Sequence, residues 1–298
     1  GEEDPDADLN SRKKKVFIAY LHNRRGVISL PEYMALFGIP PPQAEEELCS
    51  LCAEFGGTPE ATEEGTVVYR FDELLLRSDR PVSDNSGAVP IFRNLKKFSA
   101  NTPKMNGWFA FINGVNLLFG SYFLFNAFNT GIIQNQAQFD AASYLYKITY
   151  LLLHSLIASP LPFITLGLGL IPLIFSVFFW GIPVLRYFLM QRENEKIKLE
   201  NLRKSAFSRI WSSPQAIKEG DIKTEQKACR PKNPAAARDR VIKEMGSYAI
   251  PEVALDGEGN TVYTFPDLIR EQEALKKYRA SINPADTALG KTIFDSHE

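Results

Sequence analysis

Trp108-Phe109-Ala110-Phe111-Ile112-Asn113-Gly114-Val115-Asn116-Leu117-Leu118-Phe119-Gly120-Ser121-Tyr122-Phe123-Leu124-Phe125-Asn126-Ala127-Phe128 is a run without one charged side chain. About 20 apolar residues in a helix cross about 30 Å of hydrocarbon, so this stretch has the length and composition of a membrane span. A second stretch, Leu161 to Phe188, is longer and more apolar, and its only charge is Arg186 near the end. Both lie in a block from Gly107 to Met190. The net charge of −1 and mean hydropathy of −0.16 therefore average a very apolar middle with two charged flanks.

The segment between the two spans decides the topology. Ser143 to Ser159 is apolar but carries Lys147 and His154, and it is closed by Ser159-Pro160-Leu161-Pro162. A full crossing would put the flanks on opposite sides, whereas an interfacial or re-entrant helix would leave them on one side. Arg93, Lys96, Lys97 and Lys104 precede the first span, and Arg186, Arg192, Lys196 and Lys198 accompany the end of the last. The connection from Asn129 to Ser143 holds only Asp140. The positive-inside rule then favours two spans, near 108–128 and 161–188, with a helix near 143–158 that does not cross. The expectation is an integral membrane protein with both soluble segments on the cytoplasmic side.

Asn113 and Asn116 share a helix face with Gly120, which suits close packing through small residues and side-chain amides, against another copy or against the hairpin partner. Pro172, Pro183, Gly167, Gly169 and Gly181 make the last span irregular. A transport path would call for paired buried charges at mid-depth, and neither span has them.

Outward from the block, the first soluble segment runs through three helices and a hairpin. Val16, Phe17, Tyr20 and Leu21 recur at helical spacing after Arg12 to Lys15, and Arg24-Arg25-Gly26 closes that helix. Ser29 followed by Pro31 and Glu32 starts a second, and Pro40-Pro41-Pro42 starts a third, striped by Ala44, Leu48, Leu51, Cys52 and Phe55. Gly56-Gly57 stop it. Thr66-Val67-Val68-Tyr69-Arg70-Phe71 then alternates as a strand. Three helices followed by a hairpin in about 65 residues resembles the winged helix-turn-helix superfamily.

The same order returns beyond the block. Leu202, Ala206, Phe207, Ile210 and Trp211 mark a first helix, Lys218 to Thr224 a short second, and Ala235 to Met245 a third. A turn at Asp256-Gly257-Glu258-Gly259 leads to a strand at 261–265. Gly65-Thr66-Val67-Val68-Tyr69-Arg70-Phe71-Asp72-Glu73-Leu74 aligns with Gly259-Asn260-Thr261-Val262-Tyr263-Thr264-Phe265-Pro266-Asp267-Leu268, and Glu54-Phe55-Gly56 with Glu244-Met245-Gly246. Shared Gly, Val, Tyr, Phe and Leu in one register point to an internal repeat.

The expected fold class is α+β, with two small winged-helix-like domains, each of three helices plus a β-hairpin, joined by a transmembrane helical hairpin. Residues 1–10 read as a disordered acidic leader, 11–78 as the first repeat, and 79–106 as a linker with at most a short helix around Phe92 to Phe98. The membrane region is 107–190 and the second repeat 195–270. Residues 271–298 read as a helical or disordered tail.

The chemistry-bearing residues are sparse. Three cysteines, Cys49, Cys52 and Cys229, are too few for a disulfide framework and suit a reducing compartment. Cys49-x-x-Cys52 lacks the second ligand pair of a zinc site and the βα setting of a redox pair, and Cys52 continues an apolar stripe. His22, His154 and His297 are scattered, and no phosphate-binding glycine loop occurs. No catalytic residue, cofactor or metal is expected.

Charge separates the two repeats. Ser11 to Ser78 carries net −2 and Leu202 to Arg270 net +3. The third helix of the first repeat opens Glu45-Glu46-Glu47, and its wing holds Glu60, Glu63 and Glu64, the wrong sign for phosphates. Around the third helix of the second repeat lie Arg238, Arg240 and Lys243, which could touch a nucleic acid, or could form a solvated helix face. Glu45, Glu46, Glu47, Arg238, Arg240 and Lys243 are the candidate interaction surface. The expected function is a non-enzymatic, membrane-anchored adaptor or scaffold that binds lipid through its spans and a protein partner or further copies of itself through its soluble domains. A membrane-tethered DNA-binding regulator using the second repeat is the second reading, and an accessory subunit of a larger membrane complex the third.

Overall fold

The computed structural model describes residues 8–76, 92–99, 101–129, 141–223 and 230–282, which divide into two compact units. One unit joins Glu3–Lys96 to Glu193–Glu298, and the other is the insert Lys97–Arg192. Helices and two small sheets make up the described residues, a mixed α+β composition with two helices long and apolar enough to cross a membrane.

In the first unit, α1 (Leu9–Asn23) begins inside the segment expected to be a leader. It buries Phe17 and Leu21, four apart on one face, and Phe17 meets the rings of Tyr33 and Phe71 edge-on at 5.9 and 5.3 Å. Arg25 and Gly26, both at positive φ, reverse the chain into β1 (Val27–Ser29). α2 (Leu30–Phe37) follows, with the Ser29 amide donating to the Glu32 carboxylate at 3.2 Å. Gly38 ends α2 at φ +66, and a Cβ there would meet Cβ of Lys204 at 2.6 Å. Both the left-handed cap and the close helix approach thus exclude a side chain. α3 (Pro41–Phe55) leads to β2 (Thr58–Ala61), β3 (Val67–Arg70) and the short α4 (Asp72–Leu76).

The two sheets repeat one another in detail. The first has the order β1-β3-β2, with Tyr69 opposite both Ile28 and Pro59. The second, from β4 (Ile217–Lys218), β5 (Glu252–Leu255) and β6 (Thr261–Thr264), has the order β4-β6-β5, with Tyr263 opposite Ile217 and Val253. The turns match as well. The amides of Thr62 and Gly65 donate to the carbonyls of Thr66 and Thr62, and those of Asp256 and Gly259 to Asn260 and Asp256. Phe71 and Phe265 leave the sheets through equivalent bonds, to the carbonyls of Gly26 and Pro214 at 2.9 Å.

The remaining elements are α5 (Pro103–Phe128), α6 (Tyr144–His154), α7 (Pro160–Ser212), α8 (Pro234–Gly246) and α9 (Pro266–Ser281). Residues 193–212 of α7 belong to the first unit and 160–192 to the second. Among the described residues 218–223 of the expected second helix there is one 3-10 turn, Glu219–Asp221, while Thr224 lies outside the described residues. Gly220 in its middle disfavours anything longer. Residues 92–98, expected to hold at most a short helix, contain no helix.

The two halves that flank the insert lie in one compact unit rather than in the two separate domains expected. Phe17, Met34, Leu48 and Phe71 of one half and Phe207, Ile210, Met245 and Phe265 of the other lie in a single buried cluster. At about 1.5–3 kcal/mol for each fully buried large apolar side chain, this shared core holds the halves together. The start of the segment expected as a helical or disordered tail is helical, in α9, and a second cluster joins Val27 and Val68 to its Leu275 and to Ile282. Residues 283–298 lie outside the described residues, as do 1–7.

One ion pair fixes α9 on the first half. Glu32, 2 % exposed, accepts from both terminal nitrogens of Arg279, which also donates to the Val27 carbonyl at 2.7 Å. Tyr278 and Lys277 reach Glu60 and Glu64 on the first wing. Two of the three hairpin acids singled out by their sign, Glu60 and Glu64, are thus tied to another part of the same chain.

In the second unit, α5 packs on the π-helical start of α7, Phe163–Leu170. A Cβ on Gly120 would lie 2.9 Å from the Leu173 nitrogen and 3.0 Å from the Gly169 carbonyl, so small residues let the backbones touch. Asn113 and Asn126 donate to their own helix, at the carbonyls of Phe109 and Tyr122, both at 2.9 Å. Asn116 is half-buried. The close approach therefore rests on Gly120 within the hairpin; the Nδ2 groups of Asn113 and Asn126 are used locally, while Asn113 Oδ1 is buried without a hydrogen-bond partner. α6 has 11 residues, about 16 Å of helix, and packs Tyr146 against Phe123 and Ile164. Lys147 beside it is buried.

Removing Arg279 leaves Glu32 as a buried charge without its ion-pair partner. Arg279→Met should lower the stability of the full chain in detergent by about 3–5 kcal/mol, and adding Glu32→Gln should restore much of the loss. Thermal unfolding of both variants checks this; an unchanged midpoint for Arg279→Met would contradict the clamp.

Candidate interaction surfaces and a basic pocket

The insert leaves the soluble unit after Lys96 and rejoins it at Glu193, and these residues form an ion pair at 2.8 Å. Around that pair α7 presents Glu193-Asn194 and, two turns on, Glu200-Asn201. The side-chain amide of Asn194 accepts from the Lys96 N–H at 2.8 Å and donates to its carbonyl at 3.0 Å. Asn201 does the same to Arg93, at 3.0 and 2.9 Å, while Glu200 pairs with the Arg93 guanidinium at 2.7 Å. The registers agree because seven helical residues rise about 10.5 Å and three extended residues span about 10 Å. Each asparagine thus acts as a strand neighbour would, and residues 93–96 are strapped to the helix. The repeated Glu-Asn at heptad spacing is the trace of this arrangement in the sequence.

The third helices carry the residues predicted as an interaction surface. Glu45 and Glu46 are exposed on α3, whereas Glu47 accepts from the Tyr33 hydroxyl at 3.0 Å and so serves the fold. On α8, Arg238 lies 3.4 Å from Glu219, Arg240 3.0 Å from Glu244, and Lys243 2.9 Å from Asp239. Glu244 also takes a bidentate pair from Arg203. Burial pushes Glu244 up, but Arg203 and then Arg240 outweigh it and hold the carboxyl below its ordinary range. The basic face of α8 is matched by acids of its own half.

The wings differ in what covers them. The first has α9 against it, and its edge strand β2 carries Glu60 in contact with Tyr278. The second has β5 at the sheet edge with Val253 and Leu255 on one face, 62 % and 73 % exposed, and Ile250 just before it, 76 % exposed. An edge strand with bare apolar side chains is a template for a partner.

A pocket of about 190 Å³ opens among α1, the α2–α3 turn, the strap and α7. Lys13, Gln43, Arg93, Glu200, Arg203 and Lys204 supply its polar lining. Lys204 is 5 % exposed, and its ammonium sits 5.9 Å from the ring centre of Phe37 and 6.0 Å from that of Phe92. Burial, then the charges of Lys13 and Arg12, push the Lys204 amine down to about 7, against an opposing pull from Glu200.

Cys49 is exposed and Cys52 half-buried against the core. Burial, with Cys49 beside it, pushes the Cys52 thiol up to about 11, away from the reactive thiolate. Among the described residues, no group of three or more His, Cys, Asp or Glu side chains lies together as a metal site would need.

No protein-family model matches the chain, and no solved structure does. An uncharacterized chloroplastic protein of Arabidopsis thaliana is 24 % identical to it over 223 residues, 72 % of this chain and 39 % of that protein. The chain thus spans about two fifths of the length of that relative.

The strap can be released without touching the core. Asn194→Ala with Asn201→Ala gives up four bonds worth about 1 kcal/mol each, which should raise local opening by about two orders of magnitude or more. Trypsin cleavage after Arg93, Lys96 and Lys97 in the folded full chain should accelerate accordingly. Equal cleavage rates in the parent and the double variant would show that the asparagines do not hold the segment.

Proposed function

We propose that this chain is a non-enzymatic, membrane-anchored adaptor whose two winged-helix-like halves, an internal repeat, form one body that binds a protein partner or further copies of itself. The observation that carries the reading is the difference between the wings: one is covered by α9, while the other leaves β5 at the sheet edge with Ile250, Val253 and Leu255 bare. The repeat is supported by the shared strand order and by Tyr69 and Tyr263 at equivalent centres of the two sheets. A protein partner is favoured over duplex DNA because Arg238, Arg240 and Lys243 each have an acid of their own half within 3.4 Å. The same bare edge strand also suits a place as an accessory subunit in a larger membrane complex.

Both halves belong on one side of the membrane. Support comes from the bonds between Lys96 and residues 193 and 194, which bring together the two ends of the insert, so the insert crosses an even number of times. Two helices meet the length for a span, and α6 is about half that length. The basic flanks assign the shared side to the cytoplasm, or to the stroma if the chain resides in the compartment of its chloroplastic relative.

Two measurements test this. With single cysteines in sealed vesicles, Cys49 and Ser247→Cys should be labelled from the same side and Asn129→Cys from the other. Labelling of Cys49 and Ser247→Cys from opposite sides would refute the topology. Val253→Glu with Leu255→Glu should abolish cross-linked assemblies of the full chain, with partner or self, while leaving its unfolding free energy within about 0.5 kcal/mol of the parent, as for exposed sites. Assemblies that survive the double variant would remove the edge strand as the docking site.

A further inference from the structure

The cations of the insert are gathered at one level. From Lys97 to Arg192 the sequence holds five basic side chains, Lys97, Lys104, Lys147, Arg186 and Arg192, against the single acid Asp140. All but Lys147 flank the two apolar stretches at the chain ends of the insert. Helix geometry then sets their depth. α5 and α7 run antiparallel, because Gly120 lies against Leu173 and Gly169 against Leu124, and this contact falls near the middle of both stretches. At about 1.5 Å per residue, Lys104 is about 24 Å along α5 from Gly120, while Arg186 and Arg192 are about 20 and about 28 Å along α7 from Leu173, in the same direction. Phe98 meets the Tyr187 ring edge-on at 5.9 Å, which brings Lys97 to that level as well. Hydrocarbon ends about 15 Å from its midplane and headgroups fill the next several ångströms, so this is the level of lipid phosphates.

Three of these cations are left for an outside partner. Lys97, Lys104 and Arg192 are exposed and make no ion pair with any described residue. Lys104 stands in the first turn of α5, which the Thr102 hydroxyl caps, and there the helix dipole opposes a cation. An anion outside the chain relieves that repulsion. The rings of Tyr187 and Trp108, 46 % and 63 % exposed, lie near the same level and suit the boundary between hydrocarbon and headgroups.

On the membrane-anchored reading given above, we propose that this end of the insert is a collar for acidic lipid headgroups, which it selects over zwitterionic ones through Lys97, Lys104 and Arg192. A zwitterionic headgroup carries its own ammonium beside its phosphate and gains little from a basic collar, whereas an acidic lipid brings an uncompensated charge. One basic side chain near an anionic surface favours association by about fivefold. The aliphatic stems of lysine and arginine lie along apolar surface while their heads stay among the phosphates, so the contact requires no burial of charge. Basic flanks fix sidedness in any bilayer; the shared depth of these three, and their lack of acidic partners among the described residues, add a preference for lipid type.

The test uses the full chain reconstituted in phosphatidylcholine vesicles with a trace of spin-labelled phosphatidylglycerol or spin-labelled phosphatidylcholine. The fraction of label immobilised at the protein gives the relative association of the two lipids. Phosphatidylglycerol should be preferred by about fivefold or more at low salt, and the preference should shrink as added salt screens the collar. Lys97→Gln with Lys104→Gln and Arg192→Gln should bring the ratio below about twofold, and the charge-preserving Lys97→Arg with Lys104→Arg and Arg192→Lys should keep it. A ratio near one in the parent overturns the proposal, as does a preference that survives the glutamine variant or is lost in the charge-preserving one. Resistance of each protein to carbonate extraction from the same vesicles is read in parallel. Extraction of the parent removes the anchor itself, whereas a parent that stays inserted with a ratio near one removes the collar alone.

Discussion

The soluble body depends on a constraint set where its chain is interrupted. Ninety-six residues of apolar insert separate Lys96 from Glu193, yet these two are bonded to each other, and Asn194 and Asn201 seat the backbone of Lys96 and Arg93 against α7. Closing so long a loop carries an entropic cost that rises only slowly with length, so a few good bonds suffice to hold it shut. The bonds are good ones, because an asparagine amide matches the donor and acceptor of an extended residue one for one. With the ends fixed, the second half of the chain starts its folding in place on the first.

That second half then completes the first. Gly38 lies against the backbone of Lys204, Arg203 reaches the Gly38 carbonyl at 3.4 Å, and α9 lays Leu275 on Val27 and Val68. Each half alone would expose a face of its core. A body built this way has its two sheets in equivalent local settings and different surroundings, which is how one wing comes to be covered and the other open. The pairing of half-buried Arg279 with buried Glu32 adds selectivity to the docking of α9, since an ill-matched register would strand the Glu32 charge.

Local pattern made part of this legible. Val-x-Tyr-x-Phe after a turn glycine marked both central strands, since alternation records which face is buried, and β3 and β6 occupy the same aligned positions. Ser29 and Glu32 marked the start of α2, and the two apolar runs marked the long helices. What escaped depends on partners far away in the chain. Arg279 and Glu32 are 247 residues apart, and neither stands out in its own neighbourhood. Residues 92–98 carry no periodicity because their order comes from the side chains of α7. Asn113 was read as an interhelical group, yet the carbonyl one turn back is always within reach of a helical asparagine, and that is where its amide goes. The basic residues of α8 illustrate the same limit, since their acids sit partly on other elements.

The docking of α9 sets an order of events during synthesis. Chains emerge from the N-terminus, so α1 to β3 are available first, and the apolar insert follows before any of α8, β5, β6 or α9 exists. Throughout that interval Glu32 and the first wing lack Arg279 and Leu275, and the early half waits with an unfinished core. The body can close only after the whole insert has been synthesised, so the first half is completed last by residues more than 240 positions away.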